Sequence, residues 1–390
     1  VIDLDAVRAD TPGCAGRVFL DSAGSSLPPR QVLDEVIGHL RREAEIGGYR
    51  AAGERAADLE AGYGTFAELL GCAASEVAFT DSATRSWLSL VDAVPLAEGD
   101  RVLISEVEYA ANAVALLRLA EQAGARVEVI PSDAAGQLDV AALRELLDER
   151  VRLVSLVHVP TNGGLVNPVR EVVDAAHEAG ALVLLDACQS IGQVPVDMRE
   201  LGVDMLSGTG RKWLRAPRGT GFLAVRDEVR RRLRPRLVDH AGAAWVSARE
   251  YELRDDARVF ELWESGVAER LGLLRAARYA LDLGIGALSS AVAEGAATLR
   301  AGLDALPGVR THDLGERRCG IVTFTVGGTD PEDVRNALWD NDIAVTVSSV
   351  TSSRIDMARR GLDTIVRASP HYFVAPEQLE RAIAAVAGLR

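Results

Sequence analysis

The chain carries 43 basic residues, and only one of them, Lys212, is a lysine. A coding bias toward arginine explains the other 42 but not the survivor. Arginine substitutes for lysine as a surface cation. Its guanidinium stays protonated, however, and cannot form the imine with a carbonyl carbon that a neutral amine forms. Lys212 lies in Ser207-Gly208-Thr209-Gly210-Arg211-Lys212-Trp213-Leu214. The glycines let backbone pass close to a ligand. Thr209 and Arg211 offer contacts to a phosphate. The apolar Trp213-Leu214 wall and the neighbouring Arg211 both favour the neutral form of the amine.

Three further stretches bear on the same chemistry. In Phe79-Thr80-Asp81-Ser82-Ala83-Thr84 a strand runs into a helix. Ser82, Ala83 and Thr84 present free N–H groups and hydroxyls at a positive dipole end, which suits a phosphate. Taken alone, the stretch is no more than an N-cap. In Leu184-Leu185-Asp186-Ala187-Cys188-Gln189 an aspartate closes an apolar strand. Asp186 needs a cation or a donor there; a protonated pyridine nitrogen or a structural ion pair would serve. Gln189 follows one helical step later, within reach of a ring substituent. In Ile365-Val366-Arg367-Ala368-Ser369-Pro370 the fork of Arg367 suits a substrate carboxylate, or an internal acid. Together the four stretches describe an aromatic aldehyde with a phosphate and a basic ring nitrogen, which is pyridoxal 5′-phosphate.

The elements that must position these residues are legible from periodicity. Strands are expected at Arg17–Asp21, Val77–Thr80, Arg101–Ser105, Arg126–Ile130, Val151–Val157, Ala181–Leu185, Met205–Ser207 and Gly221–Val225. Helices are expected at Gln31–Glu45, Ala56–Leu70, Thr84–Val94, Ala110–Gln122, Val140–Leu147 and Val169–Ala179. Ser22 to Pro29 reads as a turn, Gly47-Gly48-Tyr49 as a helix stop, and the arginines from 230 to 236 as a solvated helix face. The alternation predicts an α/β fold with a mainly parallel sheet covered by helices on both faces. Beyond it come a mainly helical stretch from Trp263 to Asp304, strands at Gly320–Val326, Ile343–Val347 and Val366–Ser369, and helices at Pro331–Trp339 and from Pro376 to the end. They predict a smaller C-terminal α+β domain. The expected division is a large domain over 18–255 and a small one made of 1–17 plus 256–390. Residues 1–16 read as an arm or short helix.

Composition narrows the partners. At 48% hydrophobic and 26% charged, the chain is globular. A net charge of −14 opposes any general affinity for nucleic acid or anionic membranes. No apolar run approaches the roughly 18 residues of a membrane span. The charged Val1 to Asp10 does not read as a secretory signal. The four cysteines are scattered without a C-x-x-C pair, so a reducing cytoplasm and no bound metal are expected.

The chain also resembles the class V aminotransferase and cysteine desulfurase superfamily of fold-type I pyridoxal-phosphate enzymes. The resemblance runs from Leu20-Asp21-Ser22-Ala23 to Arg367-Ala368-Ser369. It is most specific in Asp186 to Gln189, Arg211-Lys212-Trp213-Leu214 and Pro217-Arg218-Gly219-Thr220-Gly221. It implies a seven-stranded sheet in the large domain and a homodimer with active sites at the subunit interface. In Glu108-Tyr109-Ala110-Ala111-Asn112 it makes Tyr109 the residue that stacks on the ring. In His158-Val159-Pro160-Thr161-Asn162-Gly163-Gly164 it gives Thr161 or Asn162 contact with the ring oxygen and substrate. It gives the segment with Ser265 a contact to the partner's phosphate. Locally, Arg211 to Leu214 with Pro217 to Gly219, and Glu43 to Tyr49, are similar to the hercynylcysteine sulfoxide lyases. A cysteine desulfurase needs a nucleophilic cysteine shortly before the carboxylate-binding arginine, and Ser348 to Asp363 contains none.

The implied reaction is C–S cleavage of an S-substituted L-cysteine. Lys212 takes the α-proton, the ring paired with Asp186 accepts the charge, and Arg367 anchors the carboxylate. Elimination yields thiol, pyruvate and ammonia. Transamination, epimerisation and decarboxylating deamination use the same residues and stay open. A non-catalytic binding protein is the reading from another class, and the intact Lys212, Asp186 and Arg367 oppose it.

Overall fold

The computed structural model describes residues 2–389. Val1 and Arg390, the outer ends of the expected arm and final helix, lie outside the described residues. The large sheet has seven strands: β1 (Val77–Thr80), β2 (Arg101–Ser105), β3 (Arg126–Ile130), β4 (Val151–Val157), β5 (Leu182–Asp186), β6 (Met205–Thr209) and β7 (Gly221–Val225). Their spatial order is β1-β7-β6-β5-β4-β2-β3. Only β7 runs against its neighbours; the other pairings are parallel. The carboxyl ends of six strands therefore share one edge, where ligands of open α/β sheets bind.

The middle strands are mostly apolar, Arg152 and Ser155 of β4 and the terminal Asp186 of β5 aside, because both of their faces are covered. Alternate residues point to opposite faces. Val154, Leu156, Val183 and Leu185 enter one buried cluster, and Leu153, Leu182 and Leu184 another. At the site end the register sets Val157, Asp186 and Ser207 side by side.

Helices α1 (Arg30–Ile46), α2 (Ala56–Leu70), α3 (Ala83–Ala93) and α4 (Ala110–Ala123) precede or cover this sheet, and α5 (Val267–Leu283) and α6 (Ile285–Asp304) follow it. A hairpin of β8 (Ala243–Ser247) and β9 (Glu250–Leu253) stands off the surface. The second sheet is antiparallel, with β10 (Val309–Thr311), β11 (Val322–Val326), β12 (Thr346–Ser349) and β13 (Thr364–Ala368) in the order β10-β11-β13-β12.

Several elements depart from expectation. Residues 22–25 form a helical turn rather than an open one, and the chain resumes helix at Gly48 where a stop is expected. The helical stretch starts at Val267, not Trp263, and breaks at Gly284, whose φ of 85° most residues avoid. Arg230 is not solvated: it is buried and pairs with Asp255. The hairpin escapes sequence reading because both its strands are largely exposed and carry no core-facing alternation. Packing also crosses both expected domain boundaries. Val18–Phe19 pairs with Ile343–Ala344, and Val18 and Leu20 join the core of the second sheet. Ala257, Val259 and Phe260 join a core of the large sheet.

Candidate active site

A cavity of about 110 Å³ opens at the carboxyl edge of the large sheet, and most of the residues singled out from sequence line it. At one end is the N-terminus of α3, with Ser82, Ala83 and Thr84. Ser82 caps the helix, its Oγ accepting from the Arg85 N–H at 3.2 Å, so the preceding amides stay free for a ligand. Gly221 makes this cradle possible: a Cβ there would lie 2.2 Å from the carbonyl carbon of Ser82. Thr209 and Arg211, from the end of β6 and the loop after it, stand on the same wall. Thr209 Oγ1 donates weakly to the Thr220 carbonyl at 3.4 Å, and Arg211 donates to the Gly24 carbonyl.

At the other end is Asp186, which closes β5 and is almost fully buried. Its Oδ1 accepts from the Cys188 N–H at 3.0 Å and its Oδ2 from Asn112 Nδ2 at 2.9 Å. Gln189 has its polar atoms in use. It donates to the Ala23 carbonyl at 3.0 Å and accepts from Trp213 Nε1 at 2.8 Å. Between the ends lies Lys212, tied by its carbonyl to the Arg215 N–H at 3.0 Å. Burial pulls its ammonium down to about 8; Arg211 and Arg367 lower it further, while Cys188 and Asp186 oppose them. The cavity therefore holds an amine with a substantial neutral fraction near neutral pH. Tyr109 is the cap residue of α4 and keeps its ring exposed on the cavity wall.

Arg367, on β13 of the second sheet, reaches the edge of this site. Its Nη1 donates to Thr161 Oγ1 at 2.9 Å, and Thr161 lines the cavity. Its Nη2 lies 3.3 Å from Asp21 Oδ1, and its Nε is buried without a partner. Burial raises the Asp21 carboxyl, against the pull of Arg367.

Two expected residues are elsewhere. Asn162 is buried and turned toward the second sheet, donating to the Ser349 carbonyl at 3.2 Å and to Met357 Sδ. Of the Thr161/Asn162 alternatives, only Thr161 faces the cavity. Ser265 lies apart, in a separate hollow with Asp81, Glu261 and Arg270.

Sequence reasoning missed four contributors. Asn112 and Trp87 line the cavity, and Glu108 holds Asn112 from behind. Ser207 adds a buried hydroxyl. The spacing of Glu108 and Asn112, four residues apart across the start of α4, is the signal that could have found that pair. Burial pushes the Glu108 carboxyl up to about 7, against hydrogen bonds from Ser155, Asn112 and the Tyr109 N–H and with the charge of Asp186.

The arrangement fits pyridoxal phosphate. Ser207 Oγ and Trp87 Nε1 are buried polar atoms without partners, and both residues line the cavity, which is what a polar ligand there would satisfy. Ser82 to Thr84, Thr209 and Arg211 could hold the phosphate, Asp186 a protonated ring nitrogen, Thr161 and Gln189 ring substituents, and Lys212 the aldehyde carbon.

The model of the aminotransferase class-V family matches residues 18–382. The probable cysteine desulfurase 2 of Mycobacterium leprae is 32% identical over 409 residues, covering 99% of this chain and 96% of its own. An apo cysteine desulfurase from Thermococcus onnurineus superposes with a TM-score of 0.91 at 25% identity, over 99% of this chain and 97% of that one. A C-DES variant with glycine covalently linked to its pyridoxal-phosphate cofactor superposes with a TM-score of 0.88 at 23% identity, over 97% and 98% of the two chains.

Proposed function

The chain belongs to the aminotransferase class-V family, with pyridoxal phosphate as its cofactor, and we propose that it is a lyase that cleaves the C–S bond of an S-substituted L-cysteine. When bound, the cofactor supplies an electron sink for the pair released as an α-bond of the amino acid breaks.

The observation that carries the choice of lyase over sulfur transfer is the loop before Arg367, which carries no thiol, and the state of the four thiols agrees with it. Drawing sulfur from cysteine onto the protein requires an accessible thiolate. All four thiols are pushed up by burial: Cys14, Cys72 and Cys319, the last two to about 12, and Cys188, beside Lys212, well above its ordinary range. The loop of residues 350–353, which meets α4 where the Ser352 carbonyl accepts from the Ala110 N–H at 3.0 Å, carries hydroxyls and no thiol. A substrate that brings its own leaving group needs no protein nucleophile.

The residues then divide the work. Arg367 takes the substrate carboxylate, using the unpartnered Nε and the fork now shared with Thr161 and Asp21. Holding that carboxylate fixes which α-bond lies nearest Lys212. The lysine amine, partly neutral near pH 7.5, is the base for the α-proton. Asp186 would keep a proton on the ring nitrogen, and Tyr109 would lie against the ring. The thiol leaves from Cβ, and water completes the products: one thiol, one pyruvate and one ammonia per substrate.

The active unit in this proposal is a homodimer. Tyr49, Trp245, Tyr251 and Trp263 are exposed aromatic side chains, and they support such an interface. Ser265 lines a hollow with Tyr49 and Trp263, which supports the reading that it serves a second copy's site.

The test is to incubate the cofactor-loaded protein with a series of S-substituted cysteines. Pyruvate, ammonia and thiol in equal amounts, abolished by Lys212→Ala, support the lyase. Alanine with sulfur retained on the protein would overturn it in favour of sulfur transfer. A keto acid that keeps its sulfur group would mean transamination.

A further inference from the structure

Behind Asp186 runs a line of buried polar groups that the proposed chemistry does not use. Asn112 Nδ2 donates to Glu108 Oε1 at 3.0 Å and to Asp186 Oδ2 at 2.9 Å, so one amide nitrogen links two carboxylates. Glu108 is itself pinned on both oxygens. Ser155 Oγ donates to Oε2 at 2.8 Å, and the Tyr109 N–H donates to Oε1 at 2.9 Å. Glu108, Asn112 and Asp186 are all buried, and no arginine or lysine forms an ion pair with either carboxylate among the described residues. A buried carboxylate without a cation is costly, and ordinary core packing does not call for one.

What Glu108 does in this position is geometric. An amide has two N–H groups and one carbonyl. With Glu108 accepting one hydrogen, Asn112 is held with its nitrogen toward Asp186, and Asp186 Oδ2 is held by the other. The second oxygen of Asp186 is held by the Cys188 N–H. The same Glu108 anchors the backbone of Tyr109.

We propose that Glu108 is a positioning residue of this site, acting through Asn112 to fix Asp186 toward the cofactor's ring nitrogen. The proposal rests on the reading in which Asp186 meets that nitrogen. Glu108 does not line the cavity, and its effect is transmitted by the two hydrogen bonds of Asn112.

The experiment is a double-mutant cycle read by cofactor affinity rather than by turnover. Pyridoxal phosphate is titrated into cofactor-stripped protein and its bound absorbance is followed for the parent, Glu108→Leu, Asp186→Asn and the double variant. Glu108→Leu is expected to weaken binding about tenfold in the parent, the low end of what losing an outer hydrogen-bond partner costs a site. In the Asp186→Asn background the same change should cost less than about twofold. Glu108→Gln keeps an acceptor for Asn112 and a donor for Ser155, and should restore affinity to within about threefold of the parent. If Glu108→Leu does not fold, Asn112→Ala removes the same link and takes its place in the cycle.

Equal losses in both backgrounds would overturn the proposal, as would failure of Glu108→Gln to rescue. Unchanged affinity and absorbance in Asp186→Asn alone would instead overturn the reading of Asp186. The two failures are therefore distinguishable.

Discussion

Lys212→Met reads the electrostatics of the cavity directly, because no other lysine complicates the signal. Burial pulls the Lys212 ammonium down to about 8, from an ordinary value of 10.5. Between these two values the unfolded chain holds the proton and the folded chain has released it. Stability therefore rises with pH across that window and sits lower, by a constant amount, below it. The separation corresponds to about 3 kcal/mol. In the cofactor-stripped protein, Lys212→Met should raise the unfolding free energy by about that much at pH 7, in urea titrations run from pH 7 to 10.5. The gain should shrink above pH 8 and vanish near the top of the range. A second measurement needs no substitution. Reductive methylation with labelled formaldehyde marks Lys212 and the α-amino group alone, and the side-chain resonance should titrate near 8. A midpoint near 10.5, with no pH-dependent gap between the two proteins, would refute the claim that this amine is desolvated.

Four further outcomes are expected. The Glu108 carboxyl, pushed from 4.5 up to about 7, binds its proton more tightly when folded, so stability falls as pH rises through that window. Glu108→Gln should remove that slope, gaining up to about 3 kcal/mol on the parent at pH 8 relative to pH 4, by chemical denaturation. Gly221→Ala drives a methyl group into the Ser82 backbone and should weaken pyridoxal-phosphate binding more than about tenfold in an absorbance titration. Arg215 is buried with φ of 62° and donates to the Leu27 carbonyl, Tyr372 Oη and Thr11 Oγ1; Arg215→Ala should cost about 3 kcal/mol in urea unfolding. Cys188→Ser should keep pyruvate and thiol release within about threefold, since its thiol is held protonated; loss of both would point to a nucleophilic role.

The parallel sheet was legible because β4 and β5 are dominated by apolar residues, as a strand covered on both faces must be. The exposed hairpin and the break at Gly284 were not, because neither leaves a periodic trace. Asp186 and Lys212 stood out as residue types that are costly or irreplaceable where they occur. Asn112 and Ser207 did not, since an asparagine in a helix and a serine in a strand are ordinary until a neighbour is known.

The sequence by itself determined which reactive groups the chain offers: a lone amine, an acid ending an apolar strand and a helix start rich in hydroxyls are local facts, set by residue type and order. Only the tertiary structure decided which of Thr161 and Asn162 faces the cavity, that Arg367 shares its fork with Asp21, and that Glu108 stands behind Asp186. Those are contacts between segments up to 346 residues apart. Side-chain direction across such distances is fixed by packing, which no local pattern encodes.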